Sequence, residues 1–195
     1  MDYLAQFRQS VEKSTQMGIE PRVVNSSEHH VSFDEKFDRL MHEVSTFLVN
    51  LHGDGYRGAS CMNFASQVFM FLQQNKIPCE LTYGEVKFRS ESLYSATQEN
   101  LEAEWKEISQ EKNIGIHVWV TIGEDYVVDP TTVSRVSRHY GMPWPHFAVL
   151  HGHQKELVRD EEIEHIPMLV GKNYLEKITS NEIELDYLCS AQRKD

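Results

Sequence analysis

The chain has 195 residues, a length that one hydrophobic core still serves, and 40% apolar residues with an ordinary charged fraction exclude global disorder. Acidic side chains outnumber basic ones by 30 to 19, a formal net charge of −11. This disfavours nucleic acid as a partner, since phosphate binding draws on clustered Lys and Arg, and suits a basic partner or substrate better. No apolar run approaches the roughly 20 residues that cross a bilayer, and Met1 to Gln16 is charged and amphipathic without the apolar stretch of a signal peptide. The expectation is therefore a cytoplasmic protein with no membrane partner.

Leu4, Phe7 and Val11 recur at helical spacing, and Gly18 to Ser32, with Pro21 and the polar run Asn25 to His30, reads as a connector; residues 1–31 form an N-terminal arm. Ser32 with Glu35 suggests a capping box, after which Phe33, Phe37, Leu40, Met41, Val44, Phe47, Leu48 and Leu51 predict a core helix. It ends in a loop carrying Gly53, Gly55 and Gly58. From Cys61 to about Asn75 the apolar residues cover most of a helix's circumference, which predicts a central helix. Cys79 to Phe88 reads as a strand, and Leu101, Trp105 and Ile108 mark a helix inside an insertion at 89–114. His117 to Ile122 and Tyr126 to Asp129 read as two strands around Gly123. The C-terminal extension, 132–195, is punctuated by Pro143, Pro145 and Gly152, with a strand expected over Phe147 to Leu150 and a closing helix over Tyr174 to Leu188.

The chemistry concentrates at Cys61, where a glycine-rich loop becomes a buried helix. Free N–H groups and the positive end of the helix dipole favour a thiolate there, and the same N–H groups can face an oxyanion. His117 opens an apolar strand, and a titratable ring in that setting needs a partner; Asp129 is the candidate. The hairpin loop decides whether they meet. A two-residue loop puts His117 and Asp129 on opposite faces. A three-residue loop, Gly123 to Asp125, pairs Ile122 with Tyr126 and makes His117 the same-face diagonal neighbour of Asp129, at roughly 7–8 Å between backbones. The three-residue loop is the prediction, with Cys61 as nucleophile, His117 as base and Asp129 as its orienting carboxylate.

Ser60-Cys61-Met62-Asn63-Phe64-Ala65, His117-Val118-Trp119-Val120 and Val127-Val128-Asp129-Pro130-Thr131, in that order, resemble the transglutaminase-like superfamily. That resemblance implies an α+β fold with a papain-like core: a central helix carrying the cysteine packed on an antiparallel sheet, with further helices at the periphery, all in one domain. It implies the Cys61, His117 and Asp129 triad, a pocket shaped by Trp119, and a thiol hydrolase or acyltransferase acting on a peptide or protein substrate. No cofactor and no metal is called for. No tryptophan precedes Cys61 to donate to an oxyanion, and Tyr56 is the substitute; the 89–114 insertion is expected to form a substrate-facing lid or wall.

Other signals weigh less. Cys61, Cys79 and Cys189 form no CxxC pair, so neither a disulfide framework nor a zinc knuckle is indicated. His151-Gly152-His153 lacks a third metal ligand at an obvious spacing, His29-His30 lies in a polar connector, and Glu161, Glu162 and Glu164 read as a solvated face. Three functions stay open: a peptidase, amidase or transglutaminase-like activity through a thioester, an arylamine-type N-acetyltransferase, and a noncatalytic binding domain of the same fold.

Overall fold

A computed structural model of the protein describes residues 2–22, 31–108 and 115–179. The elements run α1 (Tyr3–Gln16), α2 (Glu35–His52), α3 (Cys61–Gln74), β1 (Cys79–Phe88), β2 (Glu91–Ser92), α4 (Gln98–Lys106), β3 (His117–Ile122), β4 (Tyr126–Asp129), α5 (Thr132–Tyr140), β5 (Leu150–His153), α6 (Gln154–Glu161), β6 (Ile163–Val170) and α7 (Lys172–Ile178). The fold is mixed α+β around a curled antiparallel half-barrel. Strands β3, β4 and β5 follow one another from β1; β2 extends the edge of β1 that β3 occupies, and β6 pairs with the other edge. Among the described residues no helix is long and apolar enough to cross a membrane.

Alternation along the strands sends side chains to two faces. Leu81, Tyr83, Val118, Val120, Ile122 and Val128 join the buried residues of α2 and α3 in one core, so the helix that begins at Cys61 lies directly on the sheet. Trp119, Val127 and Val170 pack on the opposite face with Tyr3 and Phe7 of α1 and Val133 and Val136 of α5. Helix α1 approaches β6 through its small residues: Ser14 is fully buried and its Oγ accepts from the Val170 N–H at 2.8 Å. The buried stripe of α1 is therefore Tyr3, Phe7, Ser10 and Ser14, while Leu4 and Val11 are only partly buried.

Helix α2 starts differently from the expected capping box. Its cap is Asp34, which accepts from the Lys36 and Phe37 N–H groups, while Ser32 donates to the Asp34 carboxylate. A short carboxylate one residue before the helix reaches its free N–H groups directly, so Ser32 is displaced from that role. The helix ends at Gly53 (φ 76°), as the glycine-rich loop predicts.

The region after Pro130 departs most from expectation. The strand expected at Phe147 to Leu150 lies at Leu150–His153, pairing with β4. Helix α5 and strand β6 have no counterpart in the sequence reading, although Pro167 sits where it is tolerated, on the edge strand beside a bulge. At that bulge Gly84 is obligatory: a Cβ there would fall 2.0 Å from the Ile166 carbonyl oxygen. The closing helix is α7, Lys172–Ile178. The rest of the expected helix, the polar run ending in His29-His30, and Cys189 lie outside the described residues.

Candidate functional site

Cys61 is the first residue of α3. The loop before it is fixed by Arg57, whose N–H donates to Ser134 Oγ (2.9 Å) and whose guanidinium donates to the carbonyls of Phe147 (3.1 Å) and Gly53 (3.0 Å). Ser60 caps the helix by position only; its side chain makes no capping bond and does not occupy the N–H groups of the first turn. Cys61 is 9% exposed, and its thiol donates to the Ile116 carbonyl at 3.4 Å. That carbonyl belongs to the residue before His117, which ties the helix start to the start of β3.

The hairpin has the three-residue loop. Ile122 pairs with Tyr126, Thr121 with Val127 and Val120 with Val128, and Gly123 adopts φ 61°. His117 and Asp129 consequently share a face, and His117 Nε2 meets Asp129 Oδ2 at 2.6 Å with both residues fully buried. Asp129 is saturated with donors. Oδ1 accepts from the N–H groups of Thr131 (2.9 Å) and Thr132 (3.0 Å), which makes this carboxylate the side-chain cap of α5, and Oδ2 also accepts from Thr132 Oγ1 at 2.7 Å. Burial alone would raise its pKa; the charge and hydrogen bond of His117, with the hydrogen bond of His165, hold it well below the usual carboxylate range. Burial likewise opposes a proton on His117, but the charge and hydrogen bond of Asp129, joined by those of Cys61, prevail and raise the ring to about 9. The other nitrogen, Nδ1, is buried and has no partner of good hydrogen-bonding geometry; after Asp129, Cys61 is the side chain that raises the ring's pKa most among the described residues.

Two residues complete the setting without having been foreseen. His165 on β6 brings Nε2 to 3.1 Å from Asp129 Oδ2 and Nδ1 to 2.9 Å from Gln154 Oε1. Burial lowers its pKa, and Asp129 offsets this only in part. The sequence does carry a signal for it: Ile163, His165, Pro167 and Leu169 alternate as a strand, and a histidine at an inward position calls for a partner as His117 does. Tyr94 stacks on the His117 ring at 3.9 Å and 16°. It comes from the 89–114 segment, which the buried Glu85 clamps: Oε1 accepts from the Tyr94 N–H (3.1 Å) and Oε2 from Ser92 Oγ (2.8 Å) and the Ala96 N–H (2.9 Å).

Trp119 and Tyr56, the expected substrate contacts, occupy different settings. Trp119 is fully buried, stacks behind His117 at 5.8 Å and donates its indole N–H to Tyr3 at 3.1 Å. It supports the imidazole from below and presents no open surface. Tyr56 folds over Gly58, where an added Cβ would lie 2.6 Å from its hydroxyl, three residues before Cys61. His151 and His153 have separate partners, the Tyr126 hydroxyl (2.8 Å) and Asp125 (3.2 Å). Cys79 is buried on β1, away from the cluster.

His117, Asp129 and His165 are also a candidate metal-ligand set, with one donor atom each and all within 4.8 Å. Two ligands of a tetrahedral zinc with bonds of about 2.1 Å stand roughly 3.4 Å apart. The 2.6 Å contact between His117 and Asp129 is that of a charge-assisted hydrogen bond, and an ion would have to spread the pair. Compared with models of known families, with curated proteins and with solved structures, the chain matches none of them.

Proposed function

We propose that the protein is a cysteine-dependent acyl-transfer enzyme that cleaves a peptide-like amide through a thioester on Cys61, within a core of papain-like type. The observation that carries this reading is the division of labour on one imidazole: Nε2 is engaged by a saturated carboxylate, while Nδ1 is left for the Cys61 side. Asp129 holds the ring's orientation and favours its protonated form, so the ring is suited to take the Cys61 proton and to stand beside the thiolate that attacks.

The thiolate attacks the carbonyl carbon, forming the S–C bond, and first-turn N–H groups of α3 are in position to receive the oxyanion. Collapse breaks the C–N bond, and the departing amine takes the proton from His117. Water or a second amine then gives a proton to His117 as it attacks the thioester, and the sulfur leaves as thiolate.

Mass spectrometry with a library of amide-directed electrophiles tests the reading. Cys61 is expected to be the labelled residue, labelling is expected to vanish in Cys61→Ala, and His117→Gln should slow it by about 10²-fold or more. Labelling of Cys61 no faster in the wild type than in His117→Gln would instead identify a noncatalytic domain, and Cys61-dependent consumption of acetyl-CoA an acetyltransferase. The cluster itself offers a metal centre as the second reading: stoichiometric retention of zinc, lost in His165→Gln, would favour it.

A further inference from the structure

Helix α5 runs from the Asp129 cap past the site, and it carries basic side chains and no acidic one. Arg135, one turn in, places its guanidinium 4.5 Å from the centre of the Tyr94 ring. His117 already covers one face of that ring at 3.9 Å, which leaves the opposite face to Arg135. Arginine, tyrosine and the imidazole are thus stacked in that order, with Cys61 beside the imidazole. The guanidinium also reaches the loop that delivers Cys61, since Nη1 lies 3.5 Å from the Gly58 carbonyl, a contact at the limit of hydrogen bonding.

Five N–H donors are thereby almost unused. The Arg135 Nε is buried without a partner, and among the described residues no carboxylate pairs with this side chain, in a chain with 30 acidic residues. A half-buried guanidinium stacked on an aromatic ring presents a planar fork suited to a carboxylate. The overall charge of the chain points to a basic substrate; the site points the other way.

We propose that Arg135 is the specificity-determining residue of the Cys61 site, and that the acyl substrate carries a carboxylate close to the carbonyl that sulfur attacks. This rests on the reading of Cys61 as a nucleophile. The carboxylate binds the open edge of the guanidinium, Tyr94 fixes the distance between that anchor and His117, and the acyl carbon is delivered to the sulfur.

Iodoacetate and iodoacetamide provide a matched pair of probes, differing in a carboxylate and displacing iodide from the same carbon. The ratio of their alkylation rates at Cys61, followed by mass spectrometry, is the readout. Arg135→Gln is expected to lower the iodoacetate-to-iodoacetamide ratio about tenfold, Arg135→Lys by less, and added salt should lower it in the wild type. Arg138 rests on Tyr56 at 4.4 Å instead, and Arg138→Gln removes the same charge from the same helix, so its ratio should match the wild type. A ratio unmoved by Arg135→Gln, or moved equally by Arg138→Gln, overturns the proposal. Iodoacetamide reacting at Cys61 no faster than with free glutathione overturns the underlying nucleophile itself, whatever the ratio. Thermal melts of each variant separate loss of fold from loss of recognition.

Discussion

The two faces of the sheet are held in different ways. Toward α3 the positions are apolar: Leu81, Val118, Val120, Ile122 and Val128 are fully buried, and burial of this kind is non-directional and graded. Toward α1 and α5 the same strands carry Thr82, His117, Thr121, Asp129 and, on β6, His165, all at most 1% exposed and all hydrogen-bonded. Thr82 and Thr121 join hydroxyls at 2.8 Å, Thr121 meets Tyr3 at 3.1 Å, and Tyr3 receives the Trp119 N–H. A directional network fails when one member is removed, because the remaining groups stay buried and unpaired. The apolar face can lose a methyl group by degrees; the polar face holds its charge geometry or loses it.

Asp129→Ala should break that contrast most severely. It leaves two histidines without a counter-charge and uncaps α5, and a loss of about 3–5 kcal/mol is expected in chemical denaturation, together with the loss of Cys61 reactivity. On the other face, Leu72→Ala in the last turn of α3 should cost about 2–4 kcal/mol through its cavity, while the folded fraction keeps its alkylation rate at Cys61. Loss of reactivity in folded Leu72→Ala would mean that the faces are not separable.

A titration sharpens the comparison. The His117 pKa is raised from 6.5 to about 9, so between those values the native state holds a proton that the unfolded state has released. The stabilisation is complete below about pH 6.5 and is lost as pH rises through about 9, with a slope approaching about 1.4 kcal/mol per pH unit. His165, lowered by burial, acts in the opposite direction: the unfolded state takes up a proton below pH 6.5 before the native state does, and stability falls as the pH falls. Glu80, raised by burial to about 7, adds a decline between about pH 4.5 and 7 that opposes the His165 limb, so the His117 contribution is read between about pH 7 and 9. The decline between about pH 7 and 9 should disappear in His117→Gln, leaving only the loss above about pH 10 that the buried tyrosines bring, and its survival there would assign it to another group.

How much of this was legible follows the range of the interactions. The His117–Asp129 pair is twelve residues apart, set by a short hairpin whose side-chain parity can be counted, and α3 announces itself by an apolar surface wider than a surface helix needs. His165 reaches Asp129 only because β6 returns to the far edge of β1 and crosses a bulge at Gly84, a pairing no local pattern encodes. Helix α5 is rich in β-branched and hydroxyl residues with weak helix preference; its start depends on the Asp129 side chain capping Thr131 and Thr132, so the site and the helix specify each other. Tyr94 was hidden for a similar reason, since its place over His117 depends on Glu85 gathering three groups from residues 92–96.

His165 offers the subtlest test. Both of its nitrogens face oxygens, Gln154 Oε1 and Asp129 Oδ2, yet a neutral imidazole has a single N–H to give. Gln154 is not free to turn its amide, because Nε2 donates to the Ile163 carbonyl at 3.0 Å. A second proton would satisfy both contacts, but burial and the neighbouring His117 oppose it. The ring is thus a donor held in competition between two acceptors, and where it bonds to Asp129 it shares the oxygen that holds His117. His165→Gln should cost only about 1 kcal/mol, since an amide N–H can still reach one of the acceptors. It should also move the alkaline limb of the stability profile to higher pH where the new amide turns to Gln154, because Asp129 Oδ2 then serves His117 with one donor fewer. An alkaline limb moving downward would show that His165 helps to hold the imidazolium, and the polar face would have to be redrawn as two histidines sharing one proton.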